Sequence, residues 1–467
     1  MPTYALVTFG CQMNQHDSER IAEALRDVGY SECASPEHAD LVLLNTCSVR
    51  EKAEQKLRSE VGRLGMLKEI RPELLIGVAG CVAQQEGERL IKRMPQIDLV
   101  IGPDRIADLP RALADLEMGS PPQVRVGFDV DEPQFLTARP EPGKAAASAF
   151  VTVMKGCDER CSFCIVPTTR GPERYRPARE IVSEVSRLVE AGTREVTLLG
   201  QTVNSYRDPE RSFGEVGAED ESEFAFLLRR IAAEVPALSR LRYTSPHPRH
   251  LTGALIAAHA DLGILARHVH LPVQSGSDRV LKRMIRRYTA AEYRERVARL
   301  REAVPGVTLS TDIIVGFPGE TRKDFEATLA LVDAVTYSGV FGFKYSQRPN
   351  TPALRFRDDV SEEEKSDRLA ELFHLANAQR KAHLESRVGQ IEDVLIEGRG
   401  RGDEFSGRSE RNEIVHVESP TVDPSGQLVK VRIDRAFKNS LSGTLVDSAG
   451  LPPKQRPVGG RALPLVM

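Results

Sequence analysis

The first 120 residues alternate short apolar runs with segments whose apolar positions recur at helical spacing. The apolar runs are Tyr4–Phe9, Asp40–Leu44, Leu74–Ala79 and Ile97–Ile101. Segments such as DSERIAEALRDVG and REKAEQKLRSEVGRL separate these runs and place apolar side chains along one helix face. Strands that alternate with helices in this way predict a parallel α/β sheet over residues 1–120.

A second alternating block covers residues 149–380, after a segment at 121–148 that has no periodicity and is rich in proline, glycine and alanine. We predict that residues 121–148 form a linker, and that the polar stretch 207–223 forms a surface loop. Six strands with helical crossovers predict a partial (β/α)6 barrel, with a doubly wound sheet as the alternative. The candidate strands are Phe150–Met154, Glu195–Leu199, Leu241–Thr244, His268–Leu271, Thr308–Val315 and Gly339–Lys344.

The pattern changes again after a long helical stretch at Glu362–Arg387. Between residues 385 and 450, glycine-rich turns separate the short alternating segments EDVLIEG, EIVHVE, LVKVRIDRAF and GTLVDS. Such segments predict a small all-β barrel of five strands. The predicted fold class is therefore α/β multidomain, with a parallel α/β sheet domain, a partial barrel and a small β-barrel, and 467 residues at about 150 residues per domain agree with three domains.

Charge and cysteine content narrow the class of protein. With 64 Lys+Arg and 67 Asp+Glu the net charge is -3, so contact with nucleic acid requires a local basic patch. The sequence contains no run of about 18 apolar residues and no N-terminal signal-peptide pattern, so we expect a cytoplasmic protein without a membrane span. Seven cysteines, an odd number, favour a reducing compartment and metal or redox chemistry over disulfides.

Three of these cysteines, Cys157, Cys161 and Cys164, lie within eight residues directly after a predicted strand. A single loop with this spacing can wrap a [4Fe–4S] cluster, which takes four ligands, and would leave one iron free for a substrate. The nearest downstream histidine is His247, so local spacing completes no zinc tetrahedron. The alternative interpretation is a zinc site or three buried thiols.

Three further cysteines, Cys11, Cys47 and Cys81, each follow an apolar run, in YALVTFGC, DLVLLNTC and LLIGVAGC. The C-terminal ends of parallel strands share one edge of a sheet, where ligands bind. Three βα loops can therefore bring these thiols together around a second cluster, again with one open iron. The alternative is that each is a small buried hydrophobe, and this is our interpretation of Cys33.

At this point a family resemblance becomes specific. Over nearly the whole chain, and in order, the sequence resembles the radical S-adenosylmethionine (SAM) methylthiotransferase family, and its C-terminal module resembles a TRAM domain. The matching segments are TFGCQMNQHDSE, NTCSVREKAEQK, AGCVAQQ, MKGCDERCSFCIVPTTRG, LLGQTVNSY, LPVQSGSDRVLKRM and DIIVGFPGET. The segments QMN, NTCSVREKAEQK and YSQRPNTPA resemble its MiaB-type branch, which acts on isopentenylated adenosine beside the anticodon of tRNA. Other branches act on a ribosomal-protein aspartate or on threonylcarbamoyladenosine in tRNA, and these substrates are the alternatives.

The resemblance implies two [4Fe–4S] clusters and two SAM molecules. Cys157, Cys161 and Cys164 would hold the catalytic cluster, which cleaves SAM to a radical, with Phe163 as the aromatic residue of the motif. The other group, Cys11, Cys47 and Cys81, would hold an auxiliary cluster whose sulfide a first SAM methylates before transfer to carbon 2 of the adenine. We also expect an electron donor such as a flavodoxin-type reductant, and a monomer. The alternative from another class is a non-catalytic metal-containing nucleic-acid-binding protein, which would leave the open iron positions unused.

The remaining candidates are polar residues at strand ends and in the β-barrel. Gln201, Asn204, Gln274, Ser275 and Asp312 follow or lie within barrel strands, where they suit contacts to cofactor or base, although loop polarity alone also accounts for them.

Basic residues give the last candidates. The arginine-rich stretches Arg170–Arg179 and Lys282–Arg287 are either phosphate sites or solvated faces. Residues 388–467 carry 11 Lys+Arg and 11 Asp+Glu. Within them, Lys430 and Arg432 alternate with apolar residues and suit tRNA phosphates, as they also suit any half-buried strand.

Overall fold

The computed structural model describes residues 1–48, 51–140, 145–211, 222–400, 404–419, 421–447 and 449–452, without the side chains of 51 and 52. Parts of the expected linker 121–148 and of the expected surface loop 207–223 lie outside the described residues. The chain divides into two compact units. The first comprises Met1–Arg139, Met154–Tyr175 and Ser346–Leu354, and the second comprises Pro140–Val153, Arg176–Tyr345 and Arg355–Met467.

A six-stranded, all-parallel sheet forms the centre of the first unit, in the order β2-β1-β3-β4-β5-β6. Its strands are β1 (Thr3–Phe9), β2 (Ser31–Glu32), β3 (Leu41–Thr46), β4 (Leu75–Ala79), β5 (Leu99–Ile101) and β6 (Gln123–Arg125). Its helices are α1 (Gln12–Asp27), α2 (Glu51–Ile70), α3 (Cys81–Glu86), α4 (Glu88–Arg93) and α5 (Leu109–Glu117), with a 3-10 helix at Pro103–Asp108. The predicted parallel α/β sheet is confirmed.

Helices cover both faces of this sheet, which explains why its central strands are largely apolar along their length. On one face Val42 and Ile76 pack with Leu57 of α2. On the other face Leu43 packs with Leu25 of α1. The edge strands β2 and β6 were not predicted because two or three residues are too short to show a period, and β6 lies in the segment expected to be a linker.

Six further parallel strands form two three-stranded sheets in the second unit, ordered β11-β10-β7 and β12-β13-β14. The strands of this part of the chain are β7 (Ser148–Thr152), β8 (Met154–Lys155), β9 (Arg174–Tyr175), β10 (Glu195–Leu199), β11 (Arg240–Tyr243), β12 (His268–His270), β13 (Thr308–Val315) and β14 (Gly339–Lys344). The helices are α6 (Val166–Arg170), α7 (Ala178–Glu190), α8 (Glu223–Glu234), α9 (Gly253–Asp261), α10 (Asp278–Arg283), α11 (Ala290–Ala303) and α12 (Arg322–Val335). Three 3-10 helices accompany them, at Val203–Ser205, Pro248–His250 and Pro352–Arg355.

The parallel strands fall at the six predicted positions, and the partial barrel is confirmed. The first strand differs in its bounds, because β7 ends at Thr152 whereas the prediction extended to Met154. Met154 instead pairs with Tyr175 in the antiparallel β8–β9 pair, which belongs to the first unit.

The last part of the second unit is α13 (Glu362–Glu385) followed by a closed five-stranded barrel. Its strands are β15 (Ile391–Arg399), β16 (Glu404–Ser409), β17 (Ile414–Glu418), β18 (Leu428–Ala436) and β19 (Leu441–Leu445). The predicted barrel is confirmed, although β16, with the sequence EFSGRS, has too few apolar residues to be found from its pattern. Val394, Phe405 and Val431 fill the interior. Among the described residues, no helix combines the length and apolar character that crossing a membrane requires.

Candidate active site

Cys11, Cys47 and Cys81, here called the three-loop site, follow the adjacent strands β1, β3 and β4 at one edge of the first sheet. The backbone N–H of Cys47 donates to the carbonyl of Phe9 over 2.9 Å, which ties the end of β3 to the end of β1. A Cβ placed on Gly10 would lie 2.8 Å from the Cβ of Cys47. The loops that carry the first two thiols are therefore in direct contact, because their strands are neighbours.

The thiols of this site influence one another electrostatically. A hydrogen bond from Cys47 lowers the pKa of the Cys11 thiol to about 6, with further help from backbone hydrogen bonds and the charge of Arg170. Burial raises the pKa of the Cys81 thiol, and the charge on Cys11 adds to this effect. Cys47 and Cys81 are buried, whereas Cys11 reaches the surface. Three clustered sulfurs, two of them shielded from water, are a donor set that fits an iron–sulfur cluster.

A pair of buried amides holds the first two loops in place. Asn14, in the first turn of α1, accepts a hydrogen bond from the backbone N–H of Cys11 over 3.4 Å. Its Nδ2 donates to Oδ1 of Asn45 over 3.1 Å, and Nδ2 of Asn45 donates back to the carbonyl of Asn14 over 2.8 Å. Sequence analysis did not single out these residues, although Asn14 lies in the QMN segment.

Glycines precede Cys81 and Cys157 because each backbone is left-handed and crowded. At Gly80, with φ +90°, a Cβ would lie 2.3 Å from Oδ1 of Asn45. At Gly156, with φ +78°, a Cβ would lie 1.8 Å from the carbonyl oxygen of Pro172. Other residues rarely adopt this conformation, and no side chain fits in either position. Each glycine therefore allows its cysteine loop to pack closely against a neighbour.

Cys157, Cys161 and Cys164, here called the single-loop site, lie between β8 and α6 in the first unit. The backbone N–H of Cys157 donates to the carbonyl of Gly171 over 3.1 Å, and the backbone N–H of Cys164 donates to the carbonyl of Cys161 over 3.0 Å. Cys157 and Cys161 are buried, and Cys164 and Phe163 are half-buried. The N–H of Ala353, in the segment YSQRPNTPA, donates to the carbonyl of Ser162 over 2.8 Å and supports the middle of the loop.

The arginine-rich stretch after this loop is mostly buried, which neither a phosphate site nor a solvated face explains. Arg170 donates through Nε to Sγ of Cys81 over 3.3 Å and pairs with Asp17 over 2.6 Å. Arg174 pairs with Asp104, and Arg176, in the second unit, pairs with Glu184. The interpretation as a phosphate site or a solvated face was therefore wrong for these three arginines. Periodicity along the chain cannot show that a carboxylate distant in sequence will pair with an arginine and so allow its charge to be buried. Arg179 does lie at the surface, paired with Glu210.

The second arginine-rich stretch, Lys282–Arg287, also contains both buried and exposed cations. Arg286 is buried, and its Nη2 donates to the carbonyl of Pro272 over 2.9 Å. Lys282 and Arg287 are exposed. Cys33, as expected, is half-buried against the core of the first unit, and its thiol donates to the carbonyl of Ser35 over 3.3 Å.

The polar candidates of the second unit fall into two classes. Both polar atoms of the Gln201 amide are buried and have no hydrogen-bond partner among the described residues. The carboxylate of Asp312 lies 3.5 Å from Nε2 of His270 and is about one-third exposed. An unpartnered buried amide is costly unless a ligand satisfies it, so Gln201 is the better placed of the two to contact a ligand.

Among the other polar candidates, Asn204 and Ser275 use their side chains in contacts within the protein, and Gln274 uses its backbone. Asn204 uses its amide on the backbone N–H and carbonyl of His247, over 2.7 and 3.0 Å. The hydroxyl of Ser275 lies 3.3 Å from that of Thr328 and accepts from the N–H of Ser277. Gln274 has a left-handed backbone, with φ +72°, and its N–H donates to the carbonyl of Asp312. These contacts make Asn204 and Ser275 residues that shape loops, which sequence position alone did not distinguish from direct contacts.

In the C-terminal barrel, β18 alternates as its sequence suggests. Val429, Val431 and Ile433 are buried, whereas the side chains of Lys430 and Arg432 are about 65% and 62% exposed. Lys430 lies 3.1 Å from Asp393, and Arg432 lies 3.3 Å from Asp434. Both cations therefore face solvent, and each is paired with a carboxylate of the barrel.

Comparison with known proteins agrees with this organisation. Residues 3–102 match the uncharacterized protein family UPF0004, residues 151–332 the radical SAM superfamily and residues 385–446 the TRAM domain. A structure of the radical S-adenosylmethionine methyltransferase TsrM from Kitasatospora setae, with cobalamin and a [4Fe–4S] cluster bound, is similar with a TM-score of 0.53 and 16% identity, covering 76% of this chain and 74% of that chain. At that identity the likeness shows the fold alone.

The sequence relatives are much closer. A tRNA-2-methylthio-N(6)-dimethylallyladenosine synthase from Sorangium cellulosum is 59% identical, over 100% of this chain and 99% of the relative. One from Acidithiobacillus ferrooxidans is 48% identical, over 95% of this chain and 97% of the relative. The chain therefore belongs to the tRNA-2-methylthio-N(6)-dimethylallyladenosine synthase family of radical SAM enzymes.

Proposed function

We propose that this chain transfers a methylthio group to carbon 2 of N6-isopentenyladenosine beside the anticodon of tRNA. The observation that carries the proposal is two separate groups of three cysteines in a chain 59% identical, over its full length, to a relative named for that product. Three ligands leave one iron of a [4Fe–4S] cluster open. A non-catalytic metal protein would have no use for two open sites. The names of the relatives do not favour a ribosomal-protein aspartate or threonylcarbamoyladenosine as substrate.

We assign one cluster to each group of cysteines. When bound, the clusters and SAM supply a methylated sulfur and a 5′-deoxyadenosyl radical that removes hydrogen from carbon 2. Cys157, Cys161 and Cys164 would hold the cluster at which SAM is cleaved, with the half-buried Phe163 next to Cys164 in the same loop. The three-loop site binds the auxiliary cluster, and the amides of Asn14 and Asn45 hold two of its loops in position.

Three side chains are the proposed contacts to SAM or to the adenine. Gln201 offers a buried amide that needs a hydrogen-bond partner, and Asp312 offers a carboxylate held near His270. Gln274 supplies its side chain from a left-handed turn. Asn204 and Ser275 act through the backbone positions that they fix. For Gln201→Ala we expect a higher KM for SAM with cluster content unchanged, whereas an unchanged KM would remove Gln201 from the set.

We also propose that Lys430 and Arg432 hold tRNA phosphates. Their exposure on β18 supports this, since phosphate contacts orient a nucleic acid without reading its sequence. In the K430Q/R432Q double variant we expect weaker tRNA binding and a salt dependence whose slope falls by about two. Lys92→Gln, an exposed lysine of the first unit, is the matched control. An equal salt dependence of tRNA binding in the unaltered protein, the double variant and the Lys92→Gln control would contradict the assignment.

The remaining parts of the proposal are a flavodoxin-type electron donor, a monomeric state and a cytoplasmic location. A reducing compartment suits a chain whose seven cysteines, all within the described residues, form no disulfide. Sedimentation at several concentrations tests the monomer. Turnover with reduced flavodoxin in place of a chemical reductant tests the donor.

The central experiment uses anaerobically reconstituted enzyme, reductant, SAM and isopentenylated tRNA, followed by mass spectrometry of the digested nucleosides. We expect a methylthio product that is absent with Cys161→Ala enzyme and with tRNA that lacks the isopentenyl group. Formation of 5′-deoxyadenosine with unchanged tRNA would retain the radical chemistry and overturn the substrate. Neither product from cluster-loaded enzyme would overturn both.

A further inference from the structure

Arg170 is a buried cation that touches a cysteine of the three-loop site, although it comes from the segment that follows the single-loop site. It is the last residue of α6, which begins two residues after Cys164. Its Nε donates to Sγ of Cys81 over 3.3 Å. Its two terminal nitrogens donate to the carboxylate of Asp17 over 2.6 and 3.4 Å. The guanidinium therefore donates hydrogen bonds to one sulfur and one carboxylate at the same time.

The position of Arg170 is fixed from several directions. Asp17 lies on α1, six residues after Cys11, and is 5% exposed. The backbone carbonyl of Arg170 accepts a hydrogen bond from Nη2 of Arg174 over 2.6 Å, and Arg174 itself pairs with Asp104. In addition, α6 packs against α3, whose first residue is Cys81. Since α1, α3 and α6 all hold this side chain, its N–H stays directed at the sulfur.

We propose that Arg170 is a positioning residue that raises the reduction potential of the cluster bound at the three-loop site, and that Asp17 limits this effect. Reduction adds negative charge to a cluster and to its sulfurs, so a hydrogen-bond donor at a ligating thiolate stabilises the reduced form. Arginine stays protonated under all conditions in a protein, so the donor is permanent. The adjacent carboxylate opposes the positive charge without removing the N–H. This inference rests on the proposed ligation by Cys11, Cys47 and Cys81.

The consequence for the reaction is a difference between the two sites. Among the described contacts, the arginine reaches a thiol of the three-loop site only. The three-loop cluster is then easier to reduce than it would be without Arg170. Because the arginine follows the single-loop cysteines in sequence, one short segment both carries the ligands of one site and adjusts the electronic state of the other.

The test isolates one site in the full-length chain. The parent variant has Cys157, Cys161 and Cys164 replaced by alanine, so that only the three-loop site binds iron after anaerobic reconstitution. The midpoint potential is measured by potentiometric titration followed by electron paramagnetic resonance. We expect Arg170→Gln to shift it to a more negative value and Asp17→Asn to shift it to a more positive value. Shifts of opposite sign would indicate an electrostatic role. A structural defect would not change the sign of the shift according to whether Arg170 or Asp17 is replaced.

Two further variants complete the comparison. Arg170→Lys keeps the charge and loses the fork, so its potential should lie between those of the parent and Arg170→Gln. Arg176→Gln removes a buried pair with Glu184 that touches no thiol among the described contacts, and should leave the potential unchanged. Resonance Raman spectra give an independent readout, since losing the hydrogen bond at Cys81 should raise the Fe–S stretching frequency in Arg170→Gln but not in Arg176→Gln.

The inference is overturned if Arg170→Gln and Asp17→Asn leave the potential unchanged or move it in the same direction. If Arg170→Gln does not assemble a cluster, Asp17→Asn and Arg170→Lys provide the test. The inference then requires a more positive midpoint potential in Asp17→Asn and a more negative one in Arg170→Lys than in the parent variant. A parent variant that binds no iron would overturn the ligand set and the inference together. A parent variant that binds iron, but whose midpoint potential does not respond to substitution of Arg170 or Asp17, would overturn only the inference.

Discussion

The two groups of cysteines are built in different ways. The single-loop site takes three cysteines from eight consecutive residues, so its geometry depends mainly on one loop between β8 and α6. The three-loop site collects cysteines from positions 11, 47 and 81 and depends on the order of β1, β3 and β4 in the sheet. A local site tolerates changes elsewhere in the fold, whereas a distributed site fails when any of its strands or loops shifts.

The largest expected effect separates the two sites by their chemistry. Cys81→Ala should lose roughly half of the iron, since one of two four-iron clusters is lost, and should still convert SAM to 5′-deoxyadenosine without methylthiolating tRNA. Cys161→Ala should lose both reactions. Iron analysis and product mass spectrometry check this, with Cys33→Ala as a control that retains iron and activity. The same defect in Cys81→Ala and Cys161→Ala would show that the sites do not act separately.

A smaller effect is expected from the glycines that precede the cysteines. Gly80→Ala should lower the free energy of unfolding by about 1–3 kcal/mol, because a left-handed alanine would also collide with Asn45. It should reduce iron at the three-loop site. Gly156→Ala should reduce iron at the single-loop site, because its Cβ would collide with Pro172.

The control for the glycine variants is Gly29→Ala. Gly29 has φ +85°, and a methyl group added there would meet nothing within 4 Å, so only the conformational cost of about 1–2 kcal/mol remains. Its iron content should equal that of the unaltered chain. Loss of both clusters in Gly80→Ala would show that the two sites share their stability.

The smallest effect concerns the unequal thiols of the three-loop site. Because the pKa of Cys11 is lowered to about 6, its alkylation by iodoacetamide in the cluster-free protein should reach half of its maximal rate near pH 6. Cys81, whose pKa is raised, should react only at higher pH. The lowered pKa of Cys11 also stabilises the fold above the pKa of the unfolded thiol, and this contribution is lost as the pH falls through 6. Peptide mass spectrometry after labelling at a series of pH values would detect the difference, and identical profiles would contradict it.

The sequence allowed most of the fold to be predicted, because strands and helices that bury a face carry a strong period. The short edges β2 and β6 and the polar strand β16 were missed, since two or three residues, or a serine- and glycine-rich strand, show no period. The two groups of cysteines could be proposed because each cysteine follows a recognisable strand. Arg170 could not be assigned, because Asp17, which buries its charge, lies 153 residues away in sequence.

The sequence by itself determined the order of the domains, the strands that carry the cysteines and, through family resemblance, the class of reaction. These properties depend on local periodicity and on motifs within short stretches. Only the tertiary structure decided which polar side chains remain without a partner and which arginines are buried. Gln201 and Asn204 stand three residues apart in the same motif, yet one amide has no partner among the described residues and the other is engaged by His247. That difference depends on which backbone and side-chain atoms distant segments place beside each group, and spacing along the chain does not record it.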